Sequence, residues 1–496
     1  MADSALKRLV VQASHYSLTG LFSMIAGLVT FPLLTRIFSV EEYGVMNLVA
    51  ATLTVSVTVG KVGVQHSIVR YHSEIAAGKS RFTLRQLYST TFFGMTSTAL
   101  LTMLILTTAT QLAPARWLSD ARLRGLIAIV SLIIVVQVIE SALVSFLRAE
   151  QRTVILMKYQ VAKKYLGLGC IFVAVLAISR SLTAFYSASV VSEALAVATL
   201  GYLLFSGRDW PRPVAAQFSR PLYLELLRFG VPMMIGYELA GTILAVGDRY
   251  VIAGLLGEAP VGLYGAAYNL CQYIQAVVIV SVSQAIMPIY MQMWDQQGAA
   301  ETSAFISQSL RTYVLFGAPV IAGLAAVGPA LLPSLASDKY ASAAAILPWV
   351  IAGMVVDGGT SMVGAGLFIH RKTLRIMAIV LGCAILNIVL NLILVPRLGI
   401  LGAAVATLIS YLASTSAMTI AGRRLVPVAI PWATIARAGL ASLVMYAAVT
   451  YVYPGRHLLT VGVRIAIGAP VYAILMVLMD SDARALVRKA RDRIRR

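Results

Sequence analysis

Residues 33–44 read Leu33-Leu34-Thr35-Arg36-Ile37-Phe38-Ser39-Val40-Glu41-Glu42-Tyr43-Gly44. This stretch closes one long apolar run and opens another. A second version stands about 215 residues later. There an apolar run reaches Asp248-Arg249-Tyr250, passes Leu255-Leu256-Gly257 and arrives at Val261-Gly262-Leu263-Tyr264-Gly265. The runs that follow also close alike, at Gln65 to Tyr71 and at Gln284 to Tyr290. A membrane-spanning pattern that occurs twice implies two helical bundles, a common transporter architecture with a substrate path between the halves.

Composition supports a membrane setting. Hydrophobic residues make up 59% of the 496 and charged residues 12%, against roughly 25% charged in soluble domains. The apolar residues come in blocks near 13–35, 43–68, 87–109, 123–147, 157–178, 182–205, 227–255, 260–290, 308–333, 341–369, 373–395, 399–421, 431–453 and 460–479. Each is long enough to cross the hydrocarbon, which takes about 20 residues. The expected fold is therefore an all-α polytopic membrane protein of about fourteen transmembrane helices. The division of 341–395 rests on the turn residues His370-Arg371-Lys372. The first block has no small-residue cleavage site after it and reads as a span rather than a signal peptide.

Charge orients the chain. With a cytoplasmic N-terminus, most of the 40 Lys and Arg fall in or beside cytoplasmic segments, as the positive-inside rule requires. An even number of spans returns the basic tail Arg484 to Arg496 to the same side. The net charge of +20 is spread over every cytoplasmic loop, which suits anionic membrane lipids. With no soluble domain to hold it, nucleic acid is not an expected partner.

The organisation follows. Residues 1–218 form an N-terminal six-helix bundle that ends in the basic, Pro-containing linker Ser206 to Arg228. Residues 219–425 form a second six-helix bundle. Residues 426–496 add two transmembrane helices and the basic tail. With six spans each, the bundles are parallel and related by a pseudo-two-fold axis along the membrane normal.

The Leu-Thr-Arg ending, the Glu41-Glu42-Tyr43-Gly44 turn, the Asp248-Arg249 pair and the Gly262-Leu263-Tyr264-Gly265 turn resemble the polysaccharide-transport (Wzx-like) flippases. That family belongs to the multidrug/oligosaccharidyl-lipid/polysaccharide exporter superfamily. Phe229-Gly230-Val231-Pro232 and Pro288 fit the same pattern. Val40 departs from it, since the family often has Pro before the two acids. The resemblance covers nearly the whole chain through short motifs. It implies a flippase for an undecaprenyl-pyrophosphate-linked oligosaccharide, an O-antigen, capsule or exopolysaccharide repeat unit, in the bacterial inner membrane. A polysaccharide polymerase and a chain-length regulator are the candidate partners it suggests.

Charges within spans are costly and usually face a cavity or a partner. The substrate-cavity candidates are Arg36, Lys61, Gln65, Glu238, Asp248 and Arg249. Lys61, Gln65 and His72 share one helical face, and Gly60 and Gly63 allow that helix to bend. Such a stripe is either a path for phosphate oxygens, which pair strongly with cations, or an ordinary positive-inside helix end. Arg36 either receives the pyrophosphate or anchors the first helix. Glu238 and Arg249 stand eleven residues apart, on one stripe of a regular helix. Asp248 and Arg249 either line the cavity or hold the seventh span. Glu140 and Asp357, 217 residues apart, sit at equivalent points of the repeat. Each is either paired within its bundle or binds a coupling proton or sodium ion. Asp357-Gly358-Gly359-Thr360-Ser361 is poor in helix formers, so irregular backbone is expected there. Glu193 is a further acid within a span.

No metal site or cofactor is expected. The histidines lack zinc-type spacing, and Cys170, Cys271 and Cys383 read as packing residues. Two other functions fit the composition: a cation-coupled, multidrug-type antiporter of the same fold, and a membrane glycan polymerase or transferase. The second would need a large outer loop, and the longest, near Gln111 to Arg122, is small. No nucleotide loop or nucleophile constellation is present, so the chain does not read as an enzyme.

Overall fold

The computed structural model describes residues 20, 22, 25–114, 120, 122–206, 212–276, 281–452, 458–480 and 484. These are all-helical. In chain order the helices are α1 Ile25–Ile37, α2 Val40–Lys61, α3 Val64–Ala76, α4 Leu84–Leu112, α5 Arg122–Ala149, α6 Thr153–Phe172, α7 Leu182–Ser206, α8 Arg220–Met233 and α9 Ala240–Leu256. Then come α10 Glu258–Gln275, α11 Ser281–Gln297, α12 Ala299–Leu335, α13 Leu347–Val363, α14 Ala365–Ile369, α15 Thr373–Leu398, α16 Ile400–Gly422, α17 Trp432–Val452 and α18 Leu458–Met479. Twelve stretches among the described residues are long and apolar enough to cross a membrane. The other two expected spans, near 13–35 and 260–290, are described in part. The first is α1, and the second is α10 and α11 on either side of residues 277–280, which lie outside the described residues.

Contacts group the helices into two compact units. One holds Ile37–Gly262 with the described residues before Phe31, and the other holds Phe31–Arg36 with the residues from Leu263 on.

The motif that opened the sequence is the start of α2. Ser39 caps it: its hydroxyl accepts from the Glu42 amide, and the Glu42 carboxylate accepts from the Ser39 amide. This capping box satisfies two orphan N–H groups, so the departure at Val40 costs the turn nothing. Gly44 is there for packing. A Cβ on it would lie 1.9 Å from the Glu258 carbonyl oxygen, and one on Gly262 would lie 2.0 Å from that of Val40. The two helix starts therefore cross in backbone contact, as small residues permit within membranes.

The expected bend in the second span is a break. Val62 and Gly63 both have positive φ, at 50° and 73°. The break frees backbone groups that a membrane interior cannot hydrate, and the Thr98 hydroxyl donates to the Gly60 carbonyl at 2.7 Å. Gly63 then packs against Gly230 of α8. Gly60 plays a different part from the one expected. It keeps α2 close to α5, where a Cβ would meet Val138 Cγ2 at 3.1 Å.

In the second unit, α12 carries Pro319, Pro329 and Pro333. Proline has no N–H, so Pro319 leaves the carbonyl of Leu315 without its usual donor. The Tyr472 hydroxyl of α18 donates to that carbonyl at 2.7 Å. Asp480, just past α18 and fully buried, meets Arg311 of α12 at 3.0 Å and Arg437 of α17 at 3.2 Å. The last two helices are thus fastened to α12 by polar contacts as well as by the Leu315–Ala438–Met445 cluster.

The irregular backbone expected at Asp357 to Ser361 is absent. α13 runs unbroken to Val363, and the interruption falls at Gly364. Covered by its neighbours, this helix keeps its hydrogen bonds despite two glycines. The division at His370-Arg371-Lys372 is present, with Arg371 at φ 52°. The same turn closes α5, where Gln151 has φ 58°. Both bring the amide three residues past the helix end back to a carbonyl five residues earlier: Arg152 to Leu147 and Lys372 to Leu367, each at 2.9 Å.

Candidate functional site

Two features of the first unit converge on one cavity. Pro232, in the last turn of α8, leaves the Arg228 carbonyl without its usual donor, and the six residues that follow α8, Met234–Leu239, form a π-helical turn. Such widened turns often mark functional positions. Glu238 sits in this turn, eight residues beyond the Gly63–Gly230 contact. There it meets the residues flanking the break in the second span. Lys61 Nζ lies 3.5 Å from Glu238 Oε1. The Gln65 amide donates to Glu238 Oε2 at 2.5 Å, and His66 Nε2 lies 3.1 Å from the same oxygen.

A second charge cluster faces the same cavity. Lys163 of α6 stands between two acids, 2.6 Å from Glu140 of α5 and 2.9 Å from Glu193 of α7. The Tyr159 hydroxyl donates to the other Glu140 oxygen at 3.0 Å. The side chains of the triad are 15–21% exposed, so attraction between them is screened less than at an open surface.

The cavity encloses about 610 Å³, within the range of ligand-binding pockets. Its lining includes Lys61, Gln65, His66, Gln137, Glu140, Ser141, Ser145, Arg148, Gln160, Lys163 and Glu238. For a space within membrane-spanning helices this is a polar wall, able to donate and accept hydrogen bonds and to neutralise an anion.

A family described as "Polysaccharide biosynthesis protein" matches residues 9–294, a stretch that includes every residue lining this cavity. The chain belongs to that family. It is 26% identical over 349 residues to the succinoglycan biosynthesis transport protein ExoT of Rhizobium meliloti, an alignment covering 69% of this chain. It is also 26% identical over 197 residues, 39% of this chain, to an uncharacterized membrane protein of Methanocaldococcus jannaschii. The chain spans 64% of the length of the first relative and 38% of the second. Among solved structures, the lipid II flippase MurJ in an inward closed conformation superposes with a TM-score of 0.77 at 16% identity. That match covers 95% of this chain and 99% of MurJ. An inward-facing multidrug resistance MATE family transporter of the MOP superfamily gives 0.61 at 15% identity, over 82% and 94%. These likenesses establish a shared fold.

The other charged residues that the sequence singled out in this polysaccharide biosynthesis family member, Arg36, Asp248, Arg249 and Asp357, are absent from the cavity lining. Asp248 and Arg249 form a buried pair at 3.2 Å, with Arg249 also donating to the Ala245 carbonyl. Neither lines the cavity. The stripe expected from Glu238 to Arg249 does not form one wall: Glu238 lines the cavity, whereas the Arg249 guanidinium turns to Asp248 and the Ala245 carbonyl. Arg36 reaches the end of α12 in the second unit, donating to the carbonyls of Ser334 at 2.9 Å and Ala336 at 3.4 Å. Those are orphan acceptors of a helix C-terminus. His72 stacks on Tyr88, 6.2 Å between centroids, and does not join Lys61 and Gln65.

Asp357 differs from Glu140. It lies half-buried in α13 of the second unit, with no hydrogen bond or ion pair among the described residues. Sequence reasoning missed His66, Lys163 and Arg148. Lys163 was open to discovery, since it stands inside an apolar block, where a cation needs a partner. Among the described residues, no group of His, Cys, Asp or Glu could hold a metal ion.

Proposed function

We propose that this protein is a flippase. It carries an undecaprenyl-pyrophosphate-linked oligosaccharide, a repeat unit of an O-antigen, capsule or exopolysaccharide, from the cytoplasmic to the periplasmic leaflet of a bacterial inner membrane. The observation that carries this reading is the polar, mixed-charge cavity lying within the stretch matched by the polysaccharide biosynthesis family. A lipid-linked sugar flips slowly because its hydroxyls and phosphates must leave water. A polar cavity replaces those hydrogen bonds while the prenyl tail stays in lipid. Two parallel six-helix repeats would expose the headgroup to one side and then the other. Moving two negative charges outward through 100 mV, negative inside, is favoured by roughly 5 kcal/mol at about 2.3 per charge. The potential alone can therefore drive the cycle. Where an ion is coupled, Asp357 is the better site than Glu140, because Lys163 already neutralises Glu140. No step of this function calls for catalysis or a cofactor.

The rival reading is a cation-coupled small-molecule antiporter, favoured by the likeness of fold to MATE transporters. Deleting the gene in its native host and analysing lipid-linked sugars by mass and leaflet separates the two. Undecaprenyl-linked oligosaccharide held on the cytoplasmic side, with loss of a surface glycan, is the expected result. Unchanged lipid intermediates and glycan, in a host with no paralogue, would favour the antiporter.

A further inference from the structure

We infer that Arg148 is the residue that docks the phosphate of the headgroup, and that the sugar extends from it along one face of α5. The inference deepens the flippase reading and rests on it.

The argument begins with a charge count. Three Lys or Arg side chains line the cavity: Lys61, Arg148 and Lys163. Lys61 is held by Glu238, and Lys163 is held by Glu140 and Glu193. Arg148 is the remaining one, exposed and with no carboxylate partner among the described residues. Once the empty cavity has satisfied its own charges, this guanidinium is the group still available to an anion. Arginine suits the task, since its planar fork matches two phosphate oxygens at once.

Position gives the direction. Arg148 stands in the last turn of α5, with Ala149 as its final residue. In the expected orientation that end faces the cytoplasm, where the lipid-linked substrate is made. Gln137, Ser141 and Ser145 precede Arg148 at intervals of four, four and three residues, and all line the cavity. Helical spacing puts them on one stripe. Phosphate at Arg148 places the sugar hydroxyls beside Ser141 and Gln137, deeper in the unit.

The ordinary role of such an arginine is to complement a helix C-terminus. Lys158, exposed near the start of the next helix and outside the cavity lining, serves as the control for the loss of a positive charge at this end of the unit.

The test is binding to the purified full-length protein in nanodiscs, read by native mass spectrometry. The probes are undecaprenyl pyrophosphate and undecaprenol, with inorganic pyrophosphate as competitor. The expectation is that wild type prefers the pyrophosphate lipid. Arg148→Ala should weaken that binding at least tenfold, with undecaprenol unchanged. Arg148→Lys should retain part of it, while Lys158→Ala binds the sugar-free probe as wild type does. Equal binding by Arg148→Ala and wild type, with the wild-type preference intact, overturns the role of Arg148 and leaves the flippase standing. A wild type that binds both lipids equally removes the flippase reading itself. Inorganic pyrophosphate that competes only at large excess assigns the site to the lipid headgroup. Competition at equal concentration assigns it to a free phosphate and overturns the proposed substrate orientation.

Discussion

Gly63 and Gly230 meet backbone to backbone: a Cβ on Gly63 would lie 2.0 Å from the Gly230 carbonyl oxygen. This contact brings the break in the second span against α8, and the chain beyond α8 carries Glu238 to Lys61. Gly63→Ala adds the cost of positive φ, about 1–2 kcal/mol for a residue with a Cβ, to a clash with fixed backbone. The expected outcome is a large loss of thermal stability in detergent, with loss of transport. Gly60→Ala faces only a valine methyl at 3.1 Å and should melt within a few degrees of wild type.

Lys163 neutralises two acids. Lys163→Met strands Glu140 and Glu193 together, and removing one partner of a buried pair costs about 3–5 kcal/mol. The melting temperature should fall sharply. The triple variant Lys163→Met, Glu140→Gln, Glu193→Gln removes the stranded charges and should regain most of the loss. A triple variant no more stable than the single one would contradict this account of the cluster.

Asp248 and Arg249 should behave as structure rather than as a binding site. Their side chains are 0% and 6% exposed, and they lie outside the cavity. Arg249→Ala should reduce folded yield and melting temperature, by about 3–5 kcal/mol if the carboxylate stays charged and unpaired. The folded fraction should bind substrate as wild type does. Weak binding by a fully stable Arg249→Ala would return the pair to the cavity wall.

Much of this was legible in the sequence, because local rules decide it. Twenty-residue apolar runs and the turn at His370-Arg371-Lys372 each depend on neighbours in the chain. Glu238, Lys61 and Gln65 could be named because charged and amide groups are conspicuous in apolar spans. Their convergence was not legible, since it depends on Gly63 and Gly230 meeting across 167 positions. His66 was overlooked because a continuous helix turns it about 100° away from Gln65, whereas both ring and amide reach the Glu238 carboxylate. The stripe from Glu238 to Arg249 failed for a different reason: spacing places a residue on a helix face but does not say which partner its side chain takes, and Arg249 turns to Asp248 and the Ala245 carbonyl. The irregular backbone expected at Asp357 overrated two glycines, whose weak propensity a packed helix overrides.

Asp480 fastens the last two helices to α12. Asp480→Asn weakens its hold on Arg311, Arg437 and the Thr434 hydroxyl together. Hydrogen exchange should quicken in α17 and α18 and stay unchanged in α2 to α7. Uniform exchange across both regions would show that apolar packing alone holds these helices.

The central claim is that the headgroup travels through the cavity of the first unit. The direct measurement uses proteoliposomes loaded with the native undecaprenyl-pyrophosphate-linked oligosaccharide, with impermeant periodate reporting the sugar exposed on the outer leaflet. Ser141 lines the cavity, so Ser141→Trp should plug it. The account predicts that wild type moves the lipid across the bilayer and that a folded Ser141→Trp protein does not. Transport by Ser141→Trp at the wild-type rate would contradict it.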